Sequence, residues 1–296
     1  MTTLAHPTPA MAARPRRGRA ARFLRWMLSD PRAVFSIGFL TLLILVSILA
    51  PLIAPYPPNV QNTKALLEAP SALHWLGTDD LGRDVLSRLI YGAPNSLYAS
   101  FLSVFIAIVL GVPIGLLLGF LGGWFDEIVS RFVDALLSFP PIVLAIAVTG
   151  ALGIGLTDAM LAIGIVFAPY LARITRAQTL VVKNALYVDA ARAYGSSTPH
   201  IIWRHILPNA VQPVIVQVTL MLAVALLAEA ALSFLSLGVQ PPQSSWGGML
   251  ASAYQYVQIA PEQSYAPGMA ILLTALAFNA LGESLRVALD PTMKRR

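Results

Sequence analysis

The chain has 296 residues, 57% of them hydrophobic and only 11% charged, with a mean hydropathy of +0.71. That balance is far too apolar for a soluble domain of this length and reads as an integral membrane protein. Cysteine is absent, which excludes disulfides and thiolate chemistry; His6, His74, His200 and His205 have no metal-ligand spacing; and the net charge of +6 follows the membrane rather than nucleic acid, as the distribution below shows.

Residues 1–32 are rich in Ala, Pro and Arg, with Arg14, Arg16, Arg17, Arg19, Arg22, Arg25 and Arg32. They read as a basic tail ending in a short interfacial helix around residues 23–28. The apolar run at 33–54, within a first segment of 33–56, has roughly the ~20 residues a membrane span needs. It is too long for a signal-peptide core and no cleavage pattern follows it, so it is expected to be the first transmembrane helix. Residues 57–94 are polar and begin among Pro51, Pro55, Pro57 and Pro58. They are expected outside the membrane. Thr78 or Asp79 is predicted to cap a helix with Val85, Leu86, Leu89 and Ile90 on one face, Arg83 and Arg88 being opposed by Asp80 and Asp84.

Five further spans are predicted at 95–121, 126–149, 157–178, 209–237 and 266–289, within a core of 95–291 followed by a tail of 292–296. Gly111, Gly115 and Gly119 recur every four residues, a spacing that lets two membrane helices approach closely. Pro140 and Pro141 interrupt the third span. Arg131 and Asp134 are placed to neutralise each other. Glu229 stands in an otherwise apolar stretch, where a carboxylate costs about 2.5 to 3.5 kcal/mol even on the insertion scale. A structural polar contact, a substrate contact and a proton site all remain open for it. Asn279, Glu283 and Arg286 are the polar members of the last helix, with Glu283 and Arg286 close enough to pair. If both termini are cytoplasmic, seventeen of the twenty basic residues fall inside and three, Lys64, Arg83 and Arg88, outside. The positive-inside rule therefore favours six spans with both ends in the cytoplasm.

One long polar stretch, 184–209, interrupts this series. Asn184 is predicted to cap a helix through Leu186, Val188, Ala190, Ala191 and Tyr194, with Asp189 near its first turn. Gly195 ends that helix. Ser197 or Thr198 then caps a second, with Pro199 at its first position, running from His200 to Ile206 and ended by Pro208.

This stretch resembles the cytoplasmic coupling loop of bacterial ABC-importer permeases, whose motif is EAA, three residues, G, nine residues, I, one residue, LP. Asp189-Ala190-Ala191, Gly195 and Leu207-Pro208 fall in register. Asp189 replaces the glutamate, and His205 fills the isoleucine slot with Ile206 one place later. The GTDDLGRD stretch, the segment from Glu229 to Pro242 and the closing LTALAFNALGESLRVALDP are similar to the C-type permease of dipeptide, oligopeptide and nickel importers. The resemblance covers about 33–291. It implies an all-α, six-span permease of the type I importer fold in a bacterial inner membrane. The implied partners are a B-type permease, two ATPase subunits that bind ATP and Mg, and an external solute-binding protein; no cofactor is implied on this chain. Asp189, Ala190, Ala191, Gly195, Ser197, Thr198, His200, Leu207 and Pro208 would then meet the ATPase. Peptides are the implied cargo, with nickel or glutathione-like solutes as alternatives.

Two other classes compete. An ion-driven secondary transporter would show paired intramembrane charges or broken helices in matching halves, whereas Glu229 is nearly alone. A non-transport membrane scaffold would co-purify with no ATPase. Lys64, Lys183 and Lys294 are the only lysines and none sits in a phosphate-binding glycine loop, so the chain is not itself an ATPase. No nucleophile, base and acid converge on one motif, which argues against an enzyme.

Overall fold

A computed structural model describes residues 26–289 and places most of them in helices. In chain order these are α1 (Pro31–Ile48), α2 (Ala50–Ile53), α3 (Val85–Leu121), α4 (Gly123–Leu137), α5 (Pro141–Leu152) and α6 (Leu156–Lys183). Then follow α7 (Leu186–Ala193), α8 (Thr198–Ile201), a π-helical turn (Ile202–Ile206), α9 (Leu207–Phe234), α10 (Trp246–Gln255) and α11 (Glu262–Leu289). Five helical stretches are long and apolar enough to cross a membrane, and α4 with α5 makes a sixth if taken together. The basic tail of 1–25, including the start of the expected interfacial helix, and residues 290–296 lie outside the described residues.

The bundle has two distinct ends. At one, Ser284 Oγ donates to Asp30 Oδ2 at 2.6 Å, joining the start of α1 to the end of α11. At the other, Gln263 Nε2 donates to the Thr78 carbonyl at 2.7 Å. The chain runs between them in six traversals, and both described termini lie at the end that carries α7 and α8.

The centre of the bundle is the α3–α6 pair, and the glycine face is its cause. Gly111, Gly115 and Gly119 are all buried against α6. A Cβ at Gly111 or Gly115 would strike the carbonyl oxygen of Ala168 or Ala172, and one at Gly119 would lie 2.6 Å from Thr179 Cβ. The backbones are close because no side chain separates them. Around this seam Val104, Ala107, Met160, Ile163 and Leu171 pack with Leu222 of α9 and Phe278 of α11.

Several expectations change. The third span, expected at 126–149 with an interruption at Pro140 and Pro141, does break there, but far more sharply than a kink: α4 and α5 meet at 97°. Pro140 is extended (φ −57°, ψ 125°) and Pro141 opens α5. Proline has no amide hydrogen to give and forces its predecessor out of the helical region, so two in a row break the ladder. Arg131 pairs with Glu127 at 2.7 Å, while Asp134 approaches Arg173 of α6 at 3.5 Å. With α4 lying across α6, Asp134 faces the neighbouring helix rather than its own.

At the other end, α3 is capped by Asp84 and not by Thr78 or Asp79. Asp84 Oδ2 accepts from the Ser87 amide and hydroxyl, both at 2.7 Å, and Oδ1 meets His74 Nδ1 at 2.9 Å. The helix then continues without a break into the expected span, so no separate helix precedes it. A turn at Gly82 (φ +71°) brings Arg83 back onto Asp79, at 2.7 Å, and Arg88 reaches the same carboxylate at 3.4 Å. Asp80 and Asp84 were the expected partners; Asp80 lies 3.8 Å from Arg83, and Asp84 is occupied by the helix cap and His74.

Candidate coupling surface and buried carboxylate

The stretch 184–209 forms a helix pair projecting from the ends of α6 and α9. Asn184 terminates α6 instead of capping α7, which begins after Ala185. Val188 is fully buried in a cluster with Leu116, Val182, Ile201, Ile206 and Ala210, and Ala191 packs against it from the edge. This cluster seats α7 on the ends of α3 and α6. The helix ends as its glycine requires: Gly195 has φ +76°, its amide donates to Arg192 O at 2.9 Å, and that of Ser196 donates to Ala191 O at 3.1 Å. Both bonds satisfy carbonyls that the helix end leaves open.

Ser197, in extended backbone, precedes α8, and its side chain makes no capping bond. Pro208 does not end the second helix. The π turn at Ile202–Ile206 leads directly into α9, with Pro208 in its first turn, so α8 to α9 is one continuous rod. A proline near a helix start needs no amide partner, and the wider turn before it relieves the clash of its ring with the preceding backbone.

The outward side of the pair is open. Asp189, Ala190, Gly195, Thr198, His200 and Pro208 are exposed, Ser197 is exposed, and Leu207 is half-buried. Leu186 and Tyr194 are 87% and 91% exposed, and Trp203 is 69% exposed. Large apolar side chains left bare on a projecting element mark a docking surface. The pair is also held firmly from behind. The Phe120 ring is met by two cations, Lys183 Nζ at 5.7 Å from its centroid and the Arg192 guanidinium at 5.6 Å. Lys183 Nζ also donates to the Phe120 carbonyl. Two turns deeper, Asp126 of α4 accepts from Arg176 Nε and Nη2, the latter at 2.6 Å. These contacts tie α7 to both α3 and α6.

Glu229 lies elsewhere, in the half of α9 furthest from the helix pair. It is fully buried; Oε1 accepts from Ser233 Oγ at 2.7 Å, and Oε2 has no partner among the described residues. The chain that follows folds back over it, because Gly247 lets α10 rest directly on Ala230 and Ser233. Asn279 is exposed on α11, and Glu283, one turn further along and paired with Arg286 at 2.7 Å, lies near the end of that helix that meets α1, away from Glu229. The three polar residues do not form one site. Glu229→Gln preserves the acceptor for Ser233 and is expected to leave stability and uptake near wild type. Glu229→Leu strands that hydroxyl and should cost about 1–3 kcal/mol, read from thermal unfolding in detergent. Altered pH dependence of uptake in the Gln variant would instead assign Glu229 a proton.

Trp246 was not singled out from the sequence. It is buried, its Nε1 donates to Leu89 O at 3.0 Å and its amide to Ser96 Oγ at 3.1 Å. It locks α10 onto α3 beside a recess of about 480 Å³ lined by Arg83, Arg88, Ser233, Ser245 and Tyr254. The only sequence signal was a Trp after a Gln/Pro/Ser loop. Among the described residues no group of His, Asp or Glu could hold a metal ion.

The multi-span bundle with an outward-bare helix pair is that of a polytopic membrane protein. Residues 111–295 match the binding-protein-dependent transport system inner membrane component, and residues 19–70 the N-terminal TM domain of oligopeptide transport permease C. The chain belongs to this family, as an ABC-importer permease of the dipeptide and oligopeptide branch. It is 43% identical over 262 residues to a dipeptide transport system permease protein of Alkalihalophilus pseudofirmus, covering 88% of this chain and 86% of that one. It is 46% identical over 274 residues to a glutathione transport system permease protein of Shigella flexneri, covering 92% and 89%. Among solved structures, the inward-facing MetNI methionine ABC transporter has a similar fold, with a TM-score of 0.56 at 23% identity over 69% of this chain and 97% of that one. As a permease subunit the chain transports, and ATP hydrolysis belongs to separate ATPase subunits.

Proposed function

We propose that this chain forms one half of the translocation pathway of an importer for short peptides or peptide-like solutes. The observation that carries the reading is the bare, clamped helix pair at 184–209, joined to relatives that carry dipeptides and glutathione by name. Asp189, Ala190, Ala191, Gly195, Ser197, Thr198, His200, Leu207 and Pro208 lie at the contact with an ATPase. A B-type permease completes the pathway as a heterodimer, two ATPases hold ATP and Mg, and an external binding protein delivers the solute. The protein sits in a bacterial inner membrane with both termini, and the helix pair, in the cytoplasm, as the distribution of basic residues favours. Residues 57–94 then lie on the outer face and 95–291 form the permease core.

When ATP closes the ATPase dimer, α7 is drawn with it. The Phe120 clamp and the glycine seam pass that displacement to α3 and α6 as a unit, and the spans change from inward to outward opening. Glu229 holds the outer hairpin of α9 and α10. Asn279 and Glu283 are the polar groups that α11 presents to a partner or to the path.

The test is co-purification of the chain expressed with its neighbouring genes, comparing wild type with Asp189→Lys. ATPase that comes down with the wild type and falls at least ~10-fold in the variant, a change of about 1.4 kcal/mol, supports the reading. If no ATPase comes down, the reading fails. Uptake of labelled dipeptide against labelled glutathione by the same complex in vesicles decides the cargo, and the glutathione relatives make that second solute a specific alternative.

A further inference from the structure

α4 is turned too far to be half of a membrane span. Its 15 residues meet α5 at 97°. α5 reaches the opposite end of the bundle without it, for just past its end the Gly155 amide donates to Leu237 O at the far end of α9.

The depth of α4 is set by its grip on α6. Asp126 holds Arg176 with both carboxylate oxygens. Arg176 is twenty residues past the start of α6, about 30 Å along the axis, which is the thickness of a hydrocarbon core. α3 ends at the same level, since Leu121 closes it immediately before α4 begins. The N-terminal end of α4 is thus tied to the inner boundary of the membrane, and Asp134 near its other end meets Arg173, only three residues earlier on α6, at 3.5 Å.

Its two faces differ sharply. The inward face carries Asp126, Ser130, whose hydroxyl donates to Asp126 Oδ1 at 3.0 Å, and buried Val133. The outward face carries Trp124, Ile128 and Phe132 at four-residue spacing, 75%, 58% and 65% exposed. The remaining charges are satisfied locally, Arg131 by Glu127 and Asp134 by Arg173. A strip of one indole, one aliphatic chain and one phenyl ring, above a charged face at the membrane boundary, matches the layer where headgroups meet acyl chains.

We propose that α4 is an in-plane interfacial helix whose Trp124–Ile128–Phe132 strip is seated in the lipid of the cytoplasmic leaflet, so that the third crossing is made without it, by α5, about 18 Å long, and the extended residues at Pro140 and Gly153–Gly155 that flank it. The choice of leaflet rests on the orientation given under Proposed function; the in-plane placement does not. Because Asp126 grips α6 two turns before the coupling helices, α4 slides along the lipid surface when those helices move.

The absence of cysteine makes the test direct. Single cysteines at 124, 128 and 132 are labelled with a nitroxide in the assembled importer, in proteoliposomes of phosphatidylethanolamine and phosphatidylglycerol. Power saturation with oxygen and a membrane-impermeant nickel chelate then gives depth. The proposal expects three equal depths, near the headgroup boundary. Depths that change by about 6 Å per step, four residues at 1.5 Å each, would overturn it in favour of a span. Three labels shielded from both oxygen and chelate would overturn it in favour of a covering subunit. Equal depths reached by chelate from the extracytoplasmic side would support the in-plane helix and refute the orientation alone.

Discussion

Replacing Gly115 with leucine is expected to remove folded permease from the membrane. A Cβ there would collide with the Ala172 carbonyl oxygen and lie 2.6 Å from Thr175 Cβ and 3.0 Å from the Arg176 amide nitrogen. These are mostly backbone atoms of a helix that is itself packed on three sides, so no rotamer change relieves the overlap. Overpacking a tight core costs about 1–3 kcal/mol and more where the backbone must move. That is a large part of a total stability on the order of 5–15 kcal/mol. Separation of α3 from α6 would also unseat Phe120 and with it the helix pair. Gly38→Leu is the control, since nothing lies within 4 Å of a Cβ at Gly38. Monodisperse protein recovered in detergent is the readout. Wild-type recovery of the Gly115 variant would refute the seam as the source of α3–α6 association.

The second large effect is expected at Gly195. Gly195→Glu should leave the protein in the membrane and reduce ATP-driven uptake at least ~10-fold, about 1.4 kcal/mol of lost coupling. Gly195 has φ +76°, which costs a residue with a side chain roughly 1–2 kcal/mol. Yet nothing in this chain lies within 4 Å of a Cβ there, so folding tolerates the change. The defect should appear only where a partner covers the surface. Gly195→Asn separates the causes, because asparagine accepts the left-handed conformation at lower cost while still adding bulk. Loss of uptake in both variants assigns the glycine to close approach of the ATPase. Uptake retained in Asn and lost in Glu would point to backbone strain or to charge. Normal uptake in Glu would remove Gly195 from the contact altogether.

Much of the site was legible because it consists of local grammar. Asp189, Ala190, Ala191 and Gly195 belong to one short helix and its stop, and the glycine stops it as expected. The second helix departs from its local pattern at both ends: Ser197 precedes it without a side-chain capping bond, and Pro208 does not end it. Pro208 is a breaker in local terms, but a π turn upstream and a place in the first turn of α9 remove its cost. Interactions across the chain were much less visible. Arg131 and Asp134 are neighbours in sequence, yet Arg131 takes Glu127 one turn back on its own helix, and Asp134 meets Arg173 because α4 turns across α6. Arg83 and Arg88 likewise meet on Asp79 through a turn at Gly82.

The sequence by itself determined that the protein crosses the membrane several times, which faces of its helices could approach closely, where a polar helix pair interrupts the spans, and to which family it belongs. Those properties follow from apolar run length, residue periodicity and short motifs, all encoded within a few turns of chain. Only the tertiary structure decided that the Gly111–Gly119 face is filled by α6, that Trp246 carries α10 back onto α3, that Glu229 lies buried beneath that hairpin, and that Asp134 turns to Arg173 of α6. Each depends on contacts between residues tens to more than a hundred positions apart, and local propensity carries no information about which distant surface will cover a given face.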